Sequence, residues 1–136
     1  MGGSRVPYAP QTLEQTARLI TQALRELGDP LIYGRDFVDD YRRQAPAARS
    51  RLVAQAPPPT GDARYDAYLA AVAEHFASED GHPPPAWVEA PGRFLDRACA
   101  WFREPREGFW PMALVQAPPA FRRRFVFIEE SEFARL

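Results

Sequence analysis

The pattern of hydrophobic and polar positions near the start of the chain predicts an amphipathic helix. Apolar side chains recur at steps of three and four residues, the spacing that places them on one face of a helix. They are Leu13, Ala17, Ile20, Leu24 and Leu27. Thr12 is the expected N-cap, and Gln15 completes a capping box. Gly28 stands where a left-handed C-cap residue belongs, and Pro30 prevents continuation.

A second and a third helix are predicted to follow. The second covers Gly34 to Gln44, and the third begins at Pro46, which suits a first helical turn, and runs to about Ala56. The inward positions of the second helix are Phe37, Val38 and Tyr41. Its outward positions are Asp36, Asp39, Asp40, Arg42 and Arg43.

A fourth helix is predicted from about Asp62 to Ser78, between two proline triplets. The triplet 57–59 ends the third helix, because proline lacks an amide hydrogen and restricts the residue before it. Thr60 or Asp62 is the expected N-cap, and Gly81 with the triplet 83–85 ends the helix. Its apolar stripe is Tyr65, Leu69, Val72 and Phe76, with Ala73 beside it and Tyr68 and His75 at the flank.

Shorter elements are predicted in the C-terminal half, which is rich in proline and tryptophan. Helices are expected near Pro91 to Ala100, Met112 to Gln116 and Pro118 to Arg124, and a short strand at Phe125 to Ile128. The predicted fold class is mainly α, a single-domain irregular helical bundle. We divide it into a flexible N-terminus (1–11), N-terminal helices (12–56), a hinge-like proline-rich connector (57–61) and a helix with an aromatic, arginine-rich lobe (62–136).

Composition is that of an ordinary globular protein. The 136 residues are 46% hydrophobic and 26% charged, with a net charge of −1, so no overall field attracts nucleic acid or an anionic membrane. No apolar run approaches the roughly twenty residues needed to span a bilayer, and the N-terminus has no signal-peptide core. A cytoplasmic protein is expected. The sequence contains 17 arginines and no lysine, which we interpret as codon bias of a GC-rich bacterial genome.

Candidate chemistry is sparse. The sequence contains no GxSxG, P-loop or GxGxxG pattern. His75 and Glu79 have the i,i+4 spacing of a ligand pair, but two ligands do not close a metal site. Cys99, flanked by alanines on a predicted helix, is expected to be a buried core thiol. No catalytic residue, metal or cofactor is therefore expected, and an enzyme with a dispersed, unrecognised site is kept as an alternative.

A partner surface is the better-supported hypothesis. Tryptophan and arginine are enriched at interface hot spots, and the segment 101–110 (WFREPREGFW) places four aromatic residues around a charged turn. The alternatives are that these rings complete the core or form a dimer interface. The basic triplet 122–124 would fan out on a helix, so direct nucleic-acid binding is a second alternative. The predicted contact residues are Trp101, Phe102, Arg103, Arg106, Phe109, Trp110, Arg122, Arg123 and Arg124.

The sequence from residue 36 to residue 136 resembles a module found in proteins of GC-rich bacteria. The resemblance lies in PTGD (59–62), PAW (85–87), FLD (94–96) and PAFRRR (119–124) followed by an apolar run. Such modules are associated with small regulatory or antitoxin-like proteins, some of them encoded near nucleotidyltransferase-like toxins. The resemblance implies binding of a toxin-like enzyme, and it assigns no site residues; self-association is the other predicted partner interaction and comes from the aromatic segment. The predicted helix at 12–27 lies outside it.

Overall fold

The computed structural model describes residues 9–97, 99–100 and 118–127. Its helices and strands are α1 (Leu13–Arg25), α2 (Leu31–Arg43), α3 (Pro46–Val53), α4 (Ala63–Glu79), two 3₁₀ turns (Ala86–Glu89 and Pro91–Arg93), β1 (Cys99–Ala100), α5 (Pro119–Arg122) and β2 (Val126–Phe127). The described part of the chain is thus mainly helical, which confirms the predicted fold class. None of its helices is long and apolar enough to cross a membrane.

Helix α1 begins as predicted but ends differently. Thr12 and Gln15 form the full capping box, each side chain bonded to the backbone amide of the other. At the other end the backbone amide of Gly28 donates to the carbonyl of Ala23, the long-range bond of a Schellman motif. The left-handed residue of that motif is Leu27, with φ of 56°, and not Gly28. The prediction that Leu27 belongs to the buried stripe is also wrong, because its side chain is 92% exposed.

Helix α4 is the centre of the fold. It packs against α1, α5, β2 and both 3₁₀ turns. The predicted apolar stripe of α4 is buried, and so is Tyr68, which the sequence pattern places at the flank of that stripe. Small side chains cover the remaining faces and allow neighbouring elements to approach from several directions. These buried alanines are Ala67, Ala70, Ala71, Ala73 and Ala77.

Helix α2 packs beside α4 through aromatic rings. Tyr41 stacks on Phe76 with ring centroids 4.1 Å apart and nearly parallel planes. A side-chain carbon at Gly34 would lie 2.8 Å from the Tyr68 hydroxyl oxygen, so only glycine permits this approach. The prediction that Asp40 faces solvent is wrong. Asp40 is 7% exposed and accepts a hydrogen bond from the backbone amide of Gln11, which fastens the segment before α1 to α2.

The connector between α3 and α4 is held by specific hydrogen bonds. Asp62 is the N-cap of α4, as one of the two predicted alternatives stated. Thr60 is buried and bonds to the Asp66 carboxylate through its hydroxyl group and its backbone amide. The carbonyl of Pro57 accepts a 2.6 Å hydrogen bond from Arg93. Helix α3 ends at Val53, earlier than predicted, and the chain from there to Asp62 is irregular.

The predicted helix from Pro91 to Ala100 is wrong. The chain makes only the second 3₁₀ turn there, turns to extended backbone at Phe94, and enters β1. Strands β1 and β2 are parallel, with Cys99 opposite Val126 and Ala100 opposite Phe127. The predicted strand at Phe125 to Ile128 is confirmed at its centre, whereas Phe125 itself has a left-handed backbone with φ of 60°. The predicted helix at Met112 to Gln116 lies outside the described residues.

Candidate functional site

The structure describes only the arginine triplet among the predicted contact residues. The other predicted contacts lie outside the described residues; they are Trp101, Phe102, Arg103, Arg106, Phe109 and Trp110. The triplet fans out as the helical geometry predicted. Arg122 is exposed, Arg123 is 40% exposed in its side chain, and Arg124 is fully buried. Arg124 therefore offers no surface to a partner while this fold is intact.

Arg124 is part of the core. Its guanidinium group donates to the backbone carbonyls of Ala120 and Val88 at 2.9 and 2.8 Å, and lies 2.8 Å from a carboxylate oxygen of Glu74. The same group sits 4.6 Å from the ring centroid of Phe94. One side chain thus joins α4, α5 and the segment around the two 3₁₀ turns.

Arg123 completes an ion network on the surface side of Arg124. It donates to both carboxylate oxygens of Glu74 at 3.0 Å and also pairs with Glu89. These hydrogen bonds raise the pKa of Arg123 above its already high ordinary value. Since Arg123 and Arg124 both serve internal pairs, Arg122 is the residue of the triplet best placed to meet a partner.

The Glu74 carboxylate should make stability depend on pH. Partial burial raises its pKa, but hydrogen bonds from Arg123 and Arg124 outweigh this and hold the pKa below its usual 4.5. A lowered folded-state pKa stabilises the fold above the usual value and loses that effect as pH falls through the folded-state pKa. We expect the stability difference between wild type and Glu74→Gln, measured by urea unfolding, to stay constant well above pH 4.5 and to shrink as the pH falls below 4.5. A difference that stays constant over the whole pH range would contradict this. Glu14→Gln, in an exposed pair with Arg18, is the control.

The residues weighed as catalytic or metal-binding do not converge in the described part of the chain. His75 lies between the rings of Phe76 and Phe121, with its Nε2 atom 3.7 Å from Glu79. Cys99 lies in a strand and not on the predicted helix, and the surroundings of its thiol are outside the described part. No group of three or more potential metal ligands occurs among the described residues.

An apolar pocket of about 340 Å³ lies between α3, the C-terminal end of α4 and the first 3₁₀ turn. We call it the α3 pocket. Its walls are largely apolar, with Ser50, His82 and Pro83 adding to the lining; the main wall residues are Tyr41, Val53, Ala54, Ala77, Pro85 and Ala86. This volume is at the small end of the range for ligand pockets.

Hydrogen bonds hold the walls of the α3 pocket in place. The indole N–H of Trp87 donates to the carbonyl of Val53 at 2.9 Å, which ties the end of α3 to the 3₁₀ turn opposite. Gly81, with φ of 72°, ends α4, and the amide of His82 bonds back to the carbonyl of Ala77. The proline triplet therefore leaves α4 in a defined direction and forms one side of the pocket.

A polar cluster adjoins the pocket through Tyr41. The Tyr41 hydroxyl donates to one oxygen of Asp80 at 2.6 Å, and Arg49 donates to the other oxygen at 3.0 Å. Burial, followed by the bond to Asp80, raises the pKa of Tyr41 well above its ordinary value, so the hydroxyl stays protonated. Arg49 also donates to three backbone carbonyls, those of Tyr41, Arg42 and Gln44. The charges are matched and their hydrogen-bonding groups are engaged within the cluster.

The α3 pocket with its adjoining polar cluster is suited to binding an apolar side chain. A buried polar group can attract a ligand only if it has a hydrogen bond left to make, and the hydrogen bonds of this cluster are made between its own members. The walls supply apolar surface that gains free energy when it is removed from water. The apolar walls can therefore hold an aliphatic or aromatic side chain, with Ser50 and His82 as polar residues of the lining.

Two other cavities flank the segment before α1. One, of about 500 Å³, is a wide depression beside Gln11, Gln15 and Arg18. The other, of about 200 Å³, is polar and lies among Asp36, Asp39, Asp40 and Arg43. The carboxylate of Asp40 between them is already engaged by Gln11 and Arg43. The larger cavity is more open than the α3 pocket and the smaller one is lined by polar groups, so neither encloses an apolar side chain as the α3 pocket does.

Comparison of the chain with protein-family models, with curated proteins and with solved structures gives no match. The resemblance to the antitoxin-like module stays a prediction. The α3 pocket was missed in the sequence because its walls come from four separate segments. The PAW motif is the one signal that marked it, since Pro85 and Ala86 line the pocket and Trp87 fixes its walls.

Proposed function

We propose that this chain is a small cytoplasmic regulatory protein that binds another protein by holding an apolar side chain of that partner in the α3 pocket. The observation that carries the proposal is the pairing of apolar walls with a polar cluster whose bonds are satisfied internally. A metabolite-binding or catalytic pocket needs polar groups that remain available to orient a ligand. Binding an apolar side chain of a partner protein requires only a pocket of matching shape whose walls exclude water.

The partner we propose is a toxin-like or nucleotidyltransferase-type enzyme, which makes the chain antitoxin-like. This finer identity is supported by the resemblance of residues 36–136 and by two of its motifs. PAW forms a wall of the α3 pocket, and PAFRRR places Arg122 on the surface. The aromatic residues of 101–110 stay predicted contacts, and truncation of a central anchor among them should cost about 2 kcal/mol or more of binding free energy.

A capture experiment with matched variants tests the proposal. Ala86→Arg puts a long charged side chain on an exposed position of the pocket wall, and Ala47→Arg puts the same side chain on an exposed position of α3 outside it. The tagged proteins are expressed in the native host, and co-purifying proteins are identified by mass spectrometry. We expect a stoichiometric protein with wild type and Ala47→Arg, reduced at least about tenfold with Ala86→Arg, as expected for loss of a hot-spot contact.

Two outcomes would count against the proposal. Equal recovery with Ala86→Arg would place the partner surface elsewhere. Recovery of nucleic acid, bound in a steeply salt-dependent way, in place of a protein would favour the nucleic-acid alternative.

A further inference from the structure

Leu27 combines two unfavourable features at one position. Its backbone is left-handed, with φ of 56°, a conformation that is costly for residues other than glycine. Its side chain is 92% exposed, so it gains nothing from burial within the chain. Glycine is the usual residue at this position of a Schellman motif. Backbone strain that persists at an exposed site is a reason to look for a function there.

The turn around Leu27 forms a protruding apolar tip with acidic neighbours. Ile32, at the start of α2, is 47% exposed and extends the apolar surface. Glu26 and Asp29 are exposed on either side of Leu27; the cations nearest in sequence are Arg25, which is exposed, and Arg35, which is half-buried one turn after Ile32. We call residues 26–32 the Leu27 tip.

The α3 pocket lies near the other end of α2. Tyr41 lines the pocket and is ten residues from Leu31, which at 1.5 Å per residue is about 15 Å along the helix axis. The Leu27 tip of one molecule is therefore too far away to enter that molecule's own pocket. Near the pocket the acids Glu79 and Asp80 pair with Arg42 and Arg49, and the exposed Arg51, which follows the pocket residue Ser50, is a further cation. The arginines therefore outnumber the acids among these residues.

We propose that copies of this chain associate head to tail, with Leu27 of one copy seated in the α3 pocket of the next. The proposal rests on the binding competence of the α3 pocket under the proposed function and names a second copy as one of its occupants. Because the Leu27 tip and the α3 pocket are different surfaces, the contact is heterologous. A row of associated molecules therefore has an unoccupied pocket at one end and a free Leu27 tip at the other. The contact is far smaller than a standard interface, so association should be weak and increase with concentration.

Two variants each remove one half of the contact. Leu27→Gly removes the apolar side chain and suits the left-handed backbone, so it should abolish association while raising the melting temperature by about 3–5 °C. Ala86→Arg blocks the pocket, and Ala47→Arg is its control. Sedimentation of each purified protein from about 10 µM to about 1 mM measures association over the range of weak contacts.

Mixing the variants gives the decisive result. Leu27→Gly keeps a pocket and Ala86→Arg keeps a tip, so an equimolar mixture should form pairs that cannot grow, although neither variant associates alone. A wild type that stays monomeric throughout, association that survives Leu27→Gly, or a mixture that forms no pairs would overturn the proposal. Partner capture with Leu27→Gly separates the two proposals, because this variant keeps its pocket and should retain the captured protein.

Discussion

Replacing Arg124 with alanine is expected to lower the free energy of unfolding by about 3–5 kcal/mol, the range for breaking a buried ion pair from one side. The substitution removes the fully buried cation that Glu74 faces and leaves the carbonyls of Val88 and Ala120 without their donor. A buried acceptor left without a partner bears its desolvation cost in full. Urea unfolding followed by circular dichroism measures the effect.

Arg122→Ala is the matched control, since it truncates the same residue type two positions earlier at an exposed site. We expect it to change stability by no more than about 0.5 kcal/mol. Arg124→Lys should recover only part of the loss, because an ammonium group cannot reproduce the planar fork that reaches a carboxylate and two carbonyls. Equal effects of Arg124→Ala and Arg122→Ala would show that the ion network does not hold the C-terminal segment to α4.

The N-terminal half could be predicted because its signals are local. Capping residues, three- and four-residue spacing and proline positions act within one or two turns, and they located all four helices. The errors there were of two kinds, one caused by a distant contact and the other by the position of a helix end. Asp40 is buried because the backbone amide of Gln11 bonds to its carboxylate, and no pattern within α2 predicts that hydrogen bond. Leu27 continued the apolar spacing, yet α1 had already ended at Arg25.

The region after α4 was predicted less well because long-range pairing shapes it. A helix was predicted over residues 91–100, but residues 99–100 pair with residues 126–127, which no local rule anticipates. The α3 pocket is likewise assembled from α2, α3, the end of α4 and the first 3₁₀ turn. The sequence could show that prolines break helices, but not which surfaces the broken segments would enclose.

The absence of lysine acquires a structural meaning at two buried positions. Codon bias stays our interpretation for the exposed arginines. Arg93 and Arg124 instead use several guanidinium hydrogens at once and stack on aromatic rings, Trp87 and Phe94 respectively. Lysine presents a point charge with no planar face, so it is not equivalent at either site. The composition gave no means of separating these two arginines from the others.

Arg93→Ala is expected to destabilise the fold by about 2–4 kcal/mol, from the loss of two hydrogen bonds made by a charged donor in a buried site. Arg93 is 8% exposed, and it donates to the carbonyl of Pro57 at 2.6 Å and to that of Asp66 at 3.3 Å. It thereby joins the connector, the first turn of α4 and the second 3₁₀ turn. Burial lowers its pKa, but the group stays charged at neutral pH.

Arg97→Ala, four residues later at an exposed site, is the control and should be nearly neutral. Arg93→Lys should restore less than half of the loss, because the cation remains while the second hydrogen bond and the stacking on Trp87 do not. Amide hydrogen exchange distinguishes a local effect from a global one. If Arg93 is what immobilises the connector, the amides of Thr60 and Asp62 should lose protection in Arg93→Ala well before those in the middle of α4. Uniform loss across α4 would instead mean that Arg93 stabilises the whole core and has no special role in fixing the connector.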